Sequence, residues 1–251
     1  MLWYKAWRES RTRFAITACT LTGFCVFAVL FQPQSGGNGG LVVPVLHSGI
    51  FSERIYDLVY GTAKGVFGML TIFLGLGGLL REQRNRSVIF TLSLPVSRFQ
   101  LIGSQLTVGF SEMAVLSLLP ALLVPVLARL THQSYPVAEA LHFSMLWFAG
   151  GSIIFAAAFL MSVALTGEYT APVLCYVALM LQSLILTTTA LGRTYRLNLM
   201  WTMGEFRTMH WDSPHQQLLA GPLPWARLLI LMSIALCMLG VSCRIANKQD
   251  F

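Results

Sequence analysis

"LLREQRNRSVIFTLSLPVSRFQ", residues 79–100, interrupts a chain otherwise written for lipid. Apolar runs long enough to cross a bilayer flank it. Yet it carries Arg81, Arg84, Arg86 and Arg98, the carboxylate of Glu82, and Pro95. A helix needs about 20 mostly apolar residues to cross the hydrocarbon, and four guanidinium groups this close together are too costly to hold there. The segment therefore stands in water between two spans, and the fold is read by counting spans outward from it.

Of the 251 residues, 55% are hydrophobic and 11% charged, with a mean hydropathy of +0.67. Soluble domains carry about 25% charged residues. This much apolar surface needs lipid as solvent, so the chain reads as a single all-α membrane domain. Six spans are predicted: 14–31, 60–80, 101–127, 143–165, 171–191 and 226–243. The first run is longer than the apolar core of a signal peptide, and no A-x-A site follows it. The net charge of +7 is scattered rather than gathered on one soluble face, which argues against a nucleic-acid partner. Cys19, Cys25, Cys175, Cys237 and Cys243 lie in or beside apolar runs without a C-x-x-C pair, and read as small apolar filler.

An even number of spans puts both termini on one side. That side holds Lys5, Arg8, Arg11 and Arg13 before the first span and the four arginines of 81–98 before the third. It also holds Arg244 and Lys248. The other side holds Arg54, Arg129, Arg193, Arg196, Arg207 and Arg227. The excess assigns the termini and residues 81–98 to the cytoplasm. Residues 1–13 read as an amphipathic interfacial helix, with Leu2, Trp3, Ala6 and Trp7 toward lipid and the cations toward anionic headgroups. Residues 192–225 are too long for an ordinary loop and too apolar for disorder. They are predicted to fold back onto or into the outer leaflet.

Within the water-facing segment, Val88, Ile89 and Leu92 share a helical face, with Phe90 and Leu94 beside them. Pro95 ends that helix. Ser97 with Gln100 then forms a capping box, and Val96 with Leu101 a hydrophobic staple. A short helix with one apolar face thus runs into a sharply started third span, an arrangement able to carry a push from a soluble partner.

The pattern of Glu82, Ser87 and the run Thr91–Leu92–Ser93–Leu94–Pro95–Val96–Ser97–Arg98 resembles the cytoplasmic motif of ABC-2-type permeases, the membrane subunits of type V ABC exporters. The basic N-terminus, the six spans, the long outer segment and the ending Asp250–Phe251 are similar as well. The chain departs at Arg86–Ser87, where the family often has Gly-Thr. The resemblance implies a coupling helix over 81–98, with Glu82, Arg84, Arg86, Ser87, Phe90, Thr91, Leu92, Leu94, Pro95, Val96, Ser97 and Arg98 docking on a separate ATPase subunit. It also implies a second permease copy or a sister permease, and residence in the inner membrane of a prokaryotic cell. ATP and Mg would be bound by the partner. This chain has no G-x-x-x-x-G-K-[ST] with which to cradle phosphates, and is expected to be no enzyme. From the residues alone, a secondary transporter or channel component and a non-transporting assembly factor stay open.

Two ionisable residues, Lys64 and Glu112, fall well inside predicted spans. Glu112 lies about 11 residues into the third span, near mid-depth, and is a functional candidate on that ground. Lys64 lies near the outer end of the second, able to snorkel outward or to stretch toward Glu112. Gly61 with Gly65, and Ser152 with Ala156, are spaced for close helix contact. His210, His215, Met203, Met209 and Asp212 gather in the outer segment, but their spacing fits no standard metal site.

Overall fold

The computed structural model describes residues 2–30, 51–76, 98–133, 135–165, 170–188, 198–204, 210–212, 217–219 and 221–248. Among them the chain is a bundle of helices. α1 is Leu2–Leu30 and α2 Phe51–Ile55. A π-helical stretch, Tyr56–Thr62, leads directly into α3, Ala63–Gly75. α4 spans Arg98–Leu130, α5 Val137–Ala164 and α6 Thr170–Thr188. α7 is the short helix Leu199–Gly204. The exception to the expected all-α architecture is an antiparallel ribbon of β1, His210–Asp212, and β2, Gln217–Leu219, with Trp211 opposite Leu218. α8, Trp225–Lys248, follows.

Five helical stretches are long and apolar enough to cross a membrane: Trp3–Leu30, Phe51–Gly75, Ile102–Leu130, Val137–Ala164 and Trp225–Ile245. The fifth predicted span, 171–191, corresponds to a shorter apolar helix, Thr170–Leu186.

Two boundaries differ from the sequence reading. The interfacial helix expected at 1–13 and the span expected at 14–31 form one unbroken α1. The run of cations does not end the helix, because one side of its first turns is covered: Ala6 is buried and Ser10 partly so. The second span, expected from residue 60, is helical from Phe51. The π turn allows this by absorbing one extra residue, with the Ala63 amide and the Thr62 hydroxyl both donating five residues back, to Leu58 and Asp57.

α5 is the centre of the bundle, with 72% of its apolar window buried against 28% for α1 and 22% for α8. Lipid tails are as apolar as leucine, so helices in a membrane associate through close packing and small residues. α5 supplies these through Ala149, Gly150, Gly151, Ser152, Ala156 and Ala158, all buried. A methyl group on Gly151 would lie 2.9 Å from the Phe67 ring, and one on Gly75 2.7 Å from the Ala158 methyl. The Gly61–Gly65 pair does not act this way: Gly65 has open space around it, and Gly61 meets only the Tyr56 carbonyl of its own helix. Rings fill the rest of the interior. Tyr60 stacks on Phe143 with centroids 4.2 Å apart, Phe67 on Trp147 at 4.8 Å, and Phe155 on Phe159 at 6.3 Å.

The turn between α4 and α5 closes with a left-handed residue, His132, at φ 56°. The amide of Gln133 donates to the Ala128 carbonyl at 2.9 Å and that of His132 to Arg129 at 3.2 Å, a Schellman arrangement that satisfies the last carbonyls of α4. Tyr135 follows, buried. Burial pushes its phenol well above the ordinary value, with Tyr60 and Glu139 adding to the effect, so it stays neutral.

Candidate functional site

Of the residues assigned to the coupling segment, Glu82, Arg84, Arg86, Ser87, Phe90, Thr91, Leu92, Leu94, Pro95, Val96 and Ser97 lie outside the described residues. Arg98 is the first residue of α4. That helix has 33 residues, or about 50 Å at 1.5 Å per residue, which is longer than the ~30 Å hydrocarbon core. Pro120 and Pro125 lie within it without ending it, as neighbouring helices permit in membrane bundles.

Glu112 is held by α1. Its side chain is 2% exposed, and its carboxylate accepts a hydrogen bond from the Ser10 hydroxyl. The guanidinium of Arg13, one turn along α1, acts on the same carboxylate. This join fixes the register of α1 along α4, two helices that share one of the most extensive contacts in the bundle.

On α4 the exposed residues include Val115, Leu118, Leu122 and Val126 after Glu112, and Ser111, Thr107 and Gln100 before it. On α1 the exposed residues before Arg13 mix cations with large rings, Trp3, Tyr4 and Trp7 beside Arg8 and Arg11. Glu112 falls within the apolar stretch Ile102–Leu130 and is turned to α1. Ser10, in a stretch read as lying flat in the headgroups, was not a visible partner from sequence.

Lys64 and Glu112 are not brought together. The Lys64 side chain turns to the opposite end of the bundle, where its ammonium lies against Gly204 at the end of α7. α7 is tucked into the bundle rather than resting on its rim. Its Met203 is fully buried over Gly150, and the Tyr56 hydroxyl donates to the Gly204 carbonyl at 2.7 Å. Asn198 anchors the start of this insert. It is fully buried, and its Oδ1 accepts from the Met200 amide at 3.0 Å, the geometry of a helix N-cap. Its Nδ2 donates to the Ser183 carbonyl on α6 at 3.2 Å. The sequence signal was available: an asparagine just before an apolar run that ends in glycine.

The segment predicted to lie outside thus enters the bundle at 199–204 and then forms the β1–β2 ribbon. Of the residues considered for a metal, Met203 is used for packing on α5. No group of three or more His, Cys, Asp or Glu able to hold an ion is found among the described residues.

Compared with family models, with curated proteins and with solved structures, the chain gives no match.

Proposed function

We propose that the chain is the permease subunit of an ATP-driven exporter of the ABC-2 type, coupled through residues 81–98 to a separate ATPase subunit. The observation that carries the reading is the placement of α4. It begins at Arg98, the last residue of the run that resembles the coupling motif, and continues without a break across the apolar belt. A displacement at its start moves a stiff rod that touches α1, α3 and α5 together. In this reading the end of the bundle that carries the N-terminus, Arg98 and Arg244 faces the cytoplasm. α7 and the ribbon cap the far end. Two such chains, or one with a sister permease, would enclose the path, and two ATPases would drive it.

The test is purification of the tagged chain in a gentle detergent from its native cell, followed by assay of vanadate-sensitive ATP hydrolysis and identification of the bound polypeptide. An ATPase subunit is expected with the wild type and is lost with Leu92→Glu and Leu94→Glu, while both variants keep the wild-type elution volume. Wild-type chain that carries no ATPase, or an ATPase that stays bound to both variants, overturns the proposal.

A further inference from the structure

The first turns of α1 carry more charge than the bundle uses. All the charged side chains of α1 lie between Lys5 and Arg13, and the helix is uncharged from there to Leu30. Three of them are matched within the chain. Lys5 pairs with Glu9 at 3.9 Å, and Arg13 acts on the Glu112 carboxylate. Arg8 and Arg11 are exposed, and neither has a hydrogen-bond or ion-pair partner among the described residues. Glu9 and Glu112, the acidic groups beside this stretch, are already engaged.

These two cations share their side of the helix with rings. Trp3, Tyr4 and Trp7 are 60%, 71% and 44% exposed. At 3.6 residues per turn, Trp3, Trp7, Arg11, Tyr4 and Arg8 fall within an arc of about 140°. Ala6, Ser10 and Arg13 lie outside it, on the covered side from which Ser10 reaches Glu112. The sequence reading set the rings and the cations of this stretch apart; the fold turns both outward together and gives the remaining side to protein. Helical side chains lean toward the N-terminus of their own helix, so the two arginines ride over the turn that holds Tyr4 and Trp7. The Trp7 ring is braced by Phe14, with centroids 5.7 Å apart.

Water suits the cations but not three large rings, and hydrocarbon suits the rings but not the cations. The headgroup layer suits both. Indole and phenol rings collect there with their polar edges wet, and a guanidinium group binds phosphate through paired N–H donors. With 29 residues, α1 is about 44 Å long against a hydrocarbon core of about 30 Å. One end emerges, and the charged end is the one that lipid tails reject. We propose that Arg8 and Arg11, with Trp3, Tyr4 and Trp7 beside them, form a binding site for the phosphate headgroup of an anionic phospholipid. The site depends on the chain lying in a membrane and not on the permease reading.

Native mass spectrometry of the full chain in detergent, titrated with phosphatidylglycerol or with neutral phosphatidylcholine, tests this. Each arginine near an anionic surface strengthens binding about fivefold, so the wild type is expected to hold phosphatidylglycerol about thirtyfold more tightly than phosphatidylcholine. Equal retention of the two lipids overturns the site and leaves this face to a protein partner; that comparison needs no variant. Arg8→Gln with Arg11→Gln is expected to abolish the preference and leave phosphatidylcholine binding unchanged. Both side chains are exposed, so the pair is expected to keep the wild-type elution volume. Arg244→Gln, on an exposed position near the end of α8, separates a built site from diffuse attraction and is expected to keep the preference. An α1 pair that still prefers phosphatidylglycerol as the wild type does, or a loss as large from Arg244→Gln, overturns the proposal.

Discussion

Replacing Ser10 with alanine removes the hydroxyl that donates to the Glu112 carboxylate. A hydrogen bond to a charged acceptor contributes about 1.5–3 kcal/mol in soluble proteins, but polar pairs between membrane helices average about 0.6 and reach about 1.7. Glu112 is almost completely buried. The upper part of the membrane range applies, so Ser10→Ala is expected to cost about 1.5 kcal/mol, or a fall in Tm of about 3–6 °C for a chain of this size. Glu112→Gln keeps an acceptor oxygen for Ser10 and gives up the charge shared with Arg13, so it costs less, about 1 kcal/mol. The assay is a double-mutant cycle on thermal unfolding in nanodiscs, with Ser10→Ala, Glu112→Gln and the pair. Coupling of about 0.5–1.5 kcal/mol is expected. Additivity within about 0.3 kcal/mol would show that the two side chains do not stabilise one another, and the register assigned to α1 along α4 would lose its anchor. In a reconstituted exporter, the same Glu112→Gln chain is expected to lose more transport than folded protein; equal losses would make the carboxylate purely structural.

Other outcomes follow from the packing. Asn198→Ala removes the cap of α7 and its tie to Ser183; a loss of about 1–2 kcal/mol should appear as faster proteolysis after residue 190, with little change within α4. Gly75→Val places a branched side chain where even a methyl group would press on Ala158 and the Phe155 carbonyl, so overpacking of about 1–3 kcal/mol is expected, whereas Gly65→Ala, in open space, should be neutral by the same unfolding assay. His132→Val puts a β-branched residue at positive φ, at a cost of about 1–2 kcal/mol, and His132→Gly should unfold at or above the wild-type temperature.

The helical membrane architecture was legible because it depends on run length alone: 226–243 and 143–165 were found within a few residues of α8 and α5. Where the reading missed, it missed for want of a partner helix. Nothing local to Lys5, Arg8 and Arg11 reveals that Ser10 lies against α4, so the first turns of α1 were separated from its span. That Glu112 lies within an apolar helix of spanning length was legible; that Ser10 on α1 holds it was not. The Gly61–Gly65 spacing is the same motif that serves contact elsewhere, but the π turn rotates it away from α5. Glycines lacking the motif, Gly75 and Gly109, make the close approaches instead. Asn198 could have been read as a cap; its reach to Ser183 could not.

The ring column along α5 has a wider consequence. Phe143, Trp147, Phe155 and Phe159 with Tyr60 and Phe67 occupy the axis of the molecule. Among the described residues this aromatic spine fills the middle of the bundle. Under the permease function proposed above, cargo is expected to skirt it, along a seam made with another polypeptide.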